Sequence, residues 1–521
     1  MKKISIIFLL LLLLKGGSAQ MLSYPETRTV DSADSYFGIK VNDPYRWLEN
    51  DSSAETKDWV MAENKITRDY ISKIPFRPLV KKALKDNYNY AKQSAPVKYG
   101  EWYYFFKNSG LQNQSVIYRM KNYSDTAKAE IFIDPNSFAR DGAVSFQNFY
   151  FSPDFSLCAY LISNGGSDWR EVIIKDVHTG NQVGDTIRNV KFSGVSWKGN
   201  DGFYYSTYEI PAGQNKLVAK SDHHTAYYHK LGTPQKEDEI VYGGSKQPFR
   251  YISAVVTEDQ HFLVLSMAES TYGNELMIKN LSKNESPFLP IVTDLKSAQS
   301  VVDTKDGMLY IITDRNAPNQ KLVKVNASAP GPENWKDVIP ETTNTLEVGS
   351  GGGYFFATYM VDVKSQVFQF DYDGKKISEI ILPTAGTASG FGCYNNEHEF
   401  FYTFRSFTYP NTVYHYDIDN GKSEFYSKPA VRFNPDDFVT KQVFYPSRDG
   451  TKIPMFIVYK KNIVPNGKNP TYLYAYGGFN ASLTHHSPLF GWCGWKMGVS
   501  MRSRIYVAVV NMAKNGMRQG H

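Results

Sequence analysis

The sequence predicts a seven-bladed β-propeller inserted into an α/β domain. Three observations predict it. Short aromatic-rich strand cores recur seven times through the middle of the chain, at a spacing that suits four-strand blades. Amphipathic helical segments precede them, and longer apolar strands follow. At 521 residues the chain exceeds one compact domain, and its hydrophobic fraction of 42% is enough to fill real cores. The 37 Tyr and 32 Phe tilt the balance towards strands.

The elements follow in order. "MKKISIIFLLLLLLKGGSAQ" has a basic start at Lys2 and Lys3, a short apolar run from Ile4 to Leu14, and small residues at Gly17-Ser18-Ala19. This is the pattern of a secretory signal peptide, residues 1–19, cleaved after Ala19. The run is too short for a spanning helix, and no later stretch is apolar enough to span. The mature chain is therefore expected to be exported, periplasmic and free of the membrane. Next, "DSSAETKDWVMAENKITRDYISKIP" reads as a helix, with Ser52 and Glu55 in capping-box spacing, Trp59, Ile66 and Tyr70 on one face, and Pro75 as the stop. "RPLVKKALKDNYNY" reads as a second helix.

The repeats are "WYYFFKN", "LCAYLIS", "GFYYSTY", "HFLVLSM", "MLYIITD", "GYFFATY" and "EFFYTF", centred near Phe105, Tyr160, Tyr205, Val264, Ile311, Phe356 and Tyr402. Successive centres lie 55, 45, 59, 47, 45 and 46 residues apart. Each is followed, after a polar or Gly-containing loop, by a second strand such as "EVIIKDV" or "SQVFQFDY". A sandwich array would need linkers between units, and none is visible. The propeller is expected over 86–430, with 20–85 and 431–521 as the two pieces of the α/β domain. In the second piece, "RDGT" joins two strands as a hairpin, while "TYLYAYG" and "RIYVAVVNM" are near-continuous apolar runs.

Charge and ligand chemistry exclude several classes. A net charge of +6 without a Lys/Arg run gives no nucleic-acid footprint. Three widely spaced cysteines, Cys158, Cys393 and Cys493, form no disulfide framework and read as free thiols. No CxxC or HExxH occurs, and His223, His224 and His229 read as surface and strand histidines, so neither metal nor organic cofactor is expected.

Several segments resemble the prolyl oligopeptidase family: "NDPYRWLEN", "NSGLQNQSVIY", "GSDW", "FYPSRDGTKIPMFIVYKK" and "YAYGGFNASLT". The resemblance covers essentially the whole mature chain. It implies a propeller capping an α/β-hydrolase domain built from both chain ends, and a Ser-His-Asp triad cleaving short peptides after proline. By the same resemblance, Tyr476 in "YGGF" is an oxyanion donor, worth about 2.7–4 kcal/mol of transition-state stabilisation where a nucleophile exists. Phe479 lines the substrate cleft, and Asp168 and Phe192 face it from the propeller. Where some members carry an Arg, this chain has Ala268, so one charge-assisted contact to substrate is missing.

No G-x-S-x-G nucleophile elbow occurs in the 521 residues. Ser167, Ser245 and Ser350 are the nearest Gly-rich serines, and all read as propeller turns. In the family the elbow lies beyond the strand that "RIYVAVVNM" resembles. The α/β-hydrolase domain is therefore expected to be incomplete at its C-terminal end, with nucleophile, acid and base absent and the chain inactive. Plausible codons for "MAKNGMRQGH", shifted by two bases, read Gly-Glu-Lys-Trp, similar to the family's continuation, which suggests a frameshift. The expected partners are short proline-containing peptides, bound by a monomer. The alternative is a non-catalytic peptide-binding or interaction propeller.

Overall fold

The structure is a computed structural model. It describes residues 22–475, apart from 211–215, 217–220, 284, 432–433, 465, 468 and 470, together with the strand Tyr506–Val510. The chain divides into two compact units, Met1–Lys82 and Ala83–His521.

In the first unit a hairpin pairs Ala33–Tyr36 with Ile39–Asn42 across a Phe37-Gly38 turn. Helix Ala54–Ser72 follows. Its N-cap is Ser53, which accepts from the Thr56 N–H at 3.1 Å, rather than Ser52, whose hydroxyl donates to Asn50 Oδ1. The helix therefore starts one residue later than the capping-box spacing implied, and Glu55 pairs instead with Arg28. Trp59 is half-buried and donates to Thr27 at 3.0 Å, whereas Tyr70 on the same stripe is exposed.

In the second unit, seven antiparallel sheets follow one another along the chain, each a meander from a contiguous segment. The predicted strand cores are the second strands of the blades: Trp102–Asn108, Leu157–Asn164, Gly202–Thr207, Phe262–Ala268, Met308–Thr313, Tyr354–Val361 and Glu399–Arg405. They are rich in large apolar groups on both faces because each blade is sandwiched between two others. In blade 2, for example, Ala159 and Leu161 with Val172 and Ile174 pack against Trp197, Phe203 and Tyr205 of blade 3. In blade 6, Phe355 and Ala357 meet Tyr310 and Leu322 of blade 5, while Phe356 meets Tyr402 and Phe404 of blade 7. Burial of a Phe or Leu in such a layer contributes about 1.5–3 kcal/mol.

Blade 7 meets blade 1 without any shared strand. Tyr103, Phe105 and Met120 pack against Phe401 and Val413. Around them Tyr103 donates to Glu399, Lys98 pairs with Glu397 at 2.6 Å, and Tyr426 donates to the Tyr123 carbonyl at 3.0 Å. Consecutive blades are tied by the backbone; among the described residues this joint is held by side-chain contacts, with no strand pairing across it.

The last sheet has the order Phe438–Pro446, Lys452–Lys460, Tyr506–Val510, Thr471–Ala475. The first two strands form the predicted hairpin, and the last two run parallel. Phe456 and Val458 are buried, and Phe456 packs on Phe407 of blade 7 at 5.0 Å. Gln442 donates to the Asp362 carbonyl of blade 6 at 2.8 Å. This sheet thus abuts the propeller end that carries the turns between second and third strands. Thr471–Ala475 and Phe438–Pro446 are its two edge strands among the described residues, and Leu473 and Tyr474 of the former are exposed.

Of the histidines, His224 and His229 are buried rather than superficial. His229 bonds Asp238 at 2.8 Å, and Tyr205 donates to the same carboxylate. This His-Asp pair lies within blade 3 as core structure. Cys158 is buried and Cys393 half-buried, both as free thiols; Cys493 lies outside the described residues.

Candidate functional site

Two of the four predicted site residues lie among the described residues, and both fall at the propeller end that faces the last sheet. Asp168 closes the turn between the second and third strands of blade 2, where Gly165 and Gly166 take positive φ of 63° and 73°. Its carboxylate is exposed and bonds none of the described residues. Phe192 follows the outer strand of the same blade, Ile187–Lys191.

Phe192 is 48% exposed and adopts φ +52°, an unusual state for a bulky residue that costs on the order of 1–3 kcal/mol unless its surroundings hold it. They do. The His224 ring, fully buried, reaches the carbonyl of Lys191 through Nε2 at 3.0 Å. Its Nδ1 accepts the Ile252 N–H at 2.9 Å, which fixes the proton on Nε2, so His224 donates to Lys191. Burial pushes the His224 pKa down to about 4, keeping the ring neutral. The Phe192 ring stands edge-on to Tyr208 at 6.2 Å and to Tyr251 at 6.0 Å. The Lys191 ammonium sits 4.9 Å from the Trp169 ring centre and 5.1 Å from that of Phe192, and donates to Ser221 at 3.0 Å. The result is a half-open aromatic surface with one cation beneath it. Such surfaces hold apolar or cyclic side chains by area burial and stacking.

Sequence reasoning missed Lys191, Tyr208, His224 and Tyr251. They come from four separate loops or strand ends, and only the packing of the consecutive blades 2, 3 and 4 brings them together. Ala268 pairs with Tyr251 across blade 4. A guanidinium nonetheless sits beside this position: Arg250 pairs with Glu269 and, at 3.0 Å, with Glu275.

Tyr476 and Phe479 lie outside the described residues. The strand Thr471–Ala475 leads directly into Tyr476 and is in parallel register with Tyr506–Val510. No grouping of three or more metal-binding side chains occurs among the described residues.

Towards the opposite end, between blades 7 and 1, a cavity of about 540 Å³ is lined by Val97, Tyr103, Ser350, Cys393, Phe401 and Thr403, among others. Burial pushes the Cys393 thiol up to about 12, so it is not a nucleophile at neutral pH.

A seven-bladed propeller packed on a sheet whose hairpin and parallel pair match the start of an α/β-hydrolase core defines a class of two-domain hydrolases. The model of the "Prolyl oligopeptidase, N-terminal beta-propeller domain" matches residues 24–429. This chain belongs to the prolyl oligopeptidase family. It is 52% identical over 466 residues to a prolyl endopeptidase of Elizabethkingia miricola, covering 89% of this chain and 66% of the relative. The prolyl endopeptidase of Elizabethkingia meningoseptica is 51% identical over 467 residues, with the same coverage. Prolyl oligopeptidase B of Galerina marginata, solved with a 35mer hydrolysis and macrocyclization substrate, matches with TM-score 0.82 at 29% identity over 94% of this chain and 71% of that one. The chain spans just under two thirds of the length of these curated bacterial relatives.

Proposed function

We propose that this chain binds short proline-containing peptides at the propeller mouth, as part of a serine-type prolyl endopeptidase. The observation that carries the reading is the exposed aromatic pair Phe192 and Tyr251, backed by the buried rings of Trp169 and Tyr208, at the propeller end that the last sheet abuts, in a chain 52% identical to a prolyl endopeptidase. In this reading residues 20–85 and 431–521 belong to the hydrolase domain and 86–430 to the propeller. Phe192 and Phe479 supply apolar contact to the peptide, Asp168 a polar one, and Tyr476 a donor for the oxyanion. The 521 residues contain no nucleophile elbow, so by themselves they bind peptide without cutting it. The protein acts as an exported, periplasmic monomer once the leader is cleaved near Ala19.

Fluorescence anisotropy with a labelled eight-residue peptide tests the binding. The proline peptide should bind, the same peptide with Ala for Pro should bind more weakly, and Phe192→Ala should weaken the first. Equal affinity for both peptides, unaffected by Phe192→Ala, would refute the reading. Cell fractionation and N-terminal sequencing test export: a periplasmic product starting near Gln20 is expected, and a cytoplasmic product retaining Met1 would refute it.

A further inference from the structure

Arg405 ends the second strand of blade 7, Glu399–Arg405, at the propeller end where Phe407 packs on Phe456. Side chains alternate along a strand, so Arg405 leaves on the same face as Glu399, Phe401 and Thr403. That is the face turned to blade 1: Phe401 lies 6.2 Å from Tyr103, and Thr403 lines the cavity between the two blades. The neighbouring charges on this seam are paired. Glu399 accepts from His415 and Tyr103, and Lys98 meets Glu397. Arg405 has no ion pair and no side-chain hydrogen bond among the described residues, although it is half-buried. Burial lowers its pKa, and no neighbouring charge offsets that.

The rest of this sequence cannot supply the missing acid through a side chain. All Asp and Glu of the chain lie among the described residues: 1–21, 211–220, 432–433, 476–505 and 511–521 contain neither. A partly desolvated guanidinium with no partner is costly, and its forked donors match a carboxylate.

We propose that Arg405 is a carboxylate-binding point at the blade 7–blade 1 edge of the mouth, where it takes an acidic group of the bound peptide. The proposal rests on the peptide-binding function above and adds a charge preference to it. The acidic group is either the peptide's terminal carboxylate or an acidic side chain, and both present the same planar anion.

Four forms of one proline-containing octapeptide separate these sources: free acid or amide at the C-terminus, each with Glu or Gln at one internal position. Anisotropy titrations should show at least one carboxylate form binding about 10- to 100-fold tighter than the doubly neutral peptide, the range of a charged hydrogen bond. Acid against amide identifies the terminus; Glu against Gln identifies a side chain. Arg405→Gln should remove the preference while leaving the neutral peptide's affinity unchanged, and Arg405→Lys should keep part of it. Equal binding of all four forms, or a preference that survives Arg405→Gln, would overturn the assignment. Failure of every form to bind would overturn the peptide-binding function itself, and the assignment with it.

Discussion

Phe401→Ala should open the ring at one joint and no other. Phe401 is 6% exposed and its ring lies 4.9 Å from Tyr426, 5.2 Å from Tyr123 and 5.0 Å from His415. Truncating such a residue costs about 3–5 kcal/mol. Tyr426 and His415 belong to blade 7 itself, whereas Tyr123 and, at 6.2 Å, Tyr103 belong to blade 1, so the share of the lost energy carried by those two contacts falls on the separation of the blades. If half of that cost crosses the joint, at 1.4 kcal/mol per tenfold the open population rises on the order of ten- to a hundredfold. Hydrogen exchange reads this directly. Amides of Trp102–Asn108, Val116–Met120 and Glu399–Arg405 should lose protection, while blades 3 to 5 keep theirs. Phe356→Ala is the matched control, since that ring is fully buried between blades 6 and 7, 4.8 Å from Phe400. There the backbone still tethers the two blades, so exchange should rise around blades 6 and 7 but not in blade 1. Unchanged protection in blade 1 of the Phe401→Ala protein, or equal loss in all seven blades, would refute the reasoning.

Two further outcomes are expected. His224 has a folded pKa near 4 against an ordinary 6.5, so between those values the unfolded chain binds the extra proton and stability falls as pH drops. The full effect is roughly 3 kcal/mol; His224→Gln, which keeps a donor for Lys191, should flatten the melting temperature between pH 7 and 4, and an unchanged slope would count against the assigned tautomer and burial. Leu473 is 64% exposed on a strand at an edge of the described sheet, so Leu473→Lys should reduce light scattering of the concentrated protein; equal scattering would show that association arises elsewhere.

The sevenfold beat was legible because each blade's second strand is buried on both faces, which demands runs such as Phe355-Phe356-Ala357. The helix cap was misplaced by one residue because Ser52 and Ser53 are equivalent in composition; the choice depends on Ser52 bonding to Asn50. At the mouth, Asp168 and Phe192 were reached only through resemblance. His224 was named but read as a surface or strand histidine, and Tyr208 and Tyr251 were not singled out, since residues 192, 208, 224 and 251 meet only once blades 2, 3 and 4 pack together. The isolation of Arg405 was equally hidden, because it depends on which side chains the facing blade leaves unoccupied.

The most direct measurement is mass spectrometry of a proline-containing octapeptide recovered after equilibrium dialysis against the purified chain, with a fluorophosphonate probe present in a parallel sample. Peptide retained by the protein, intact, with no serine labelled, is the expected result. Fragments ending in proline together with a labelled serine would contradict binding without cleavage, and intact peptide that is not retained would contradict binding itself.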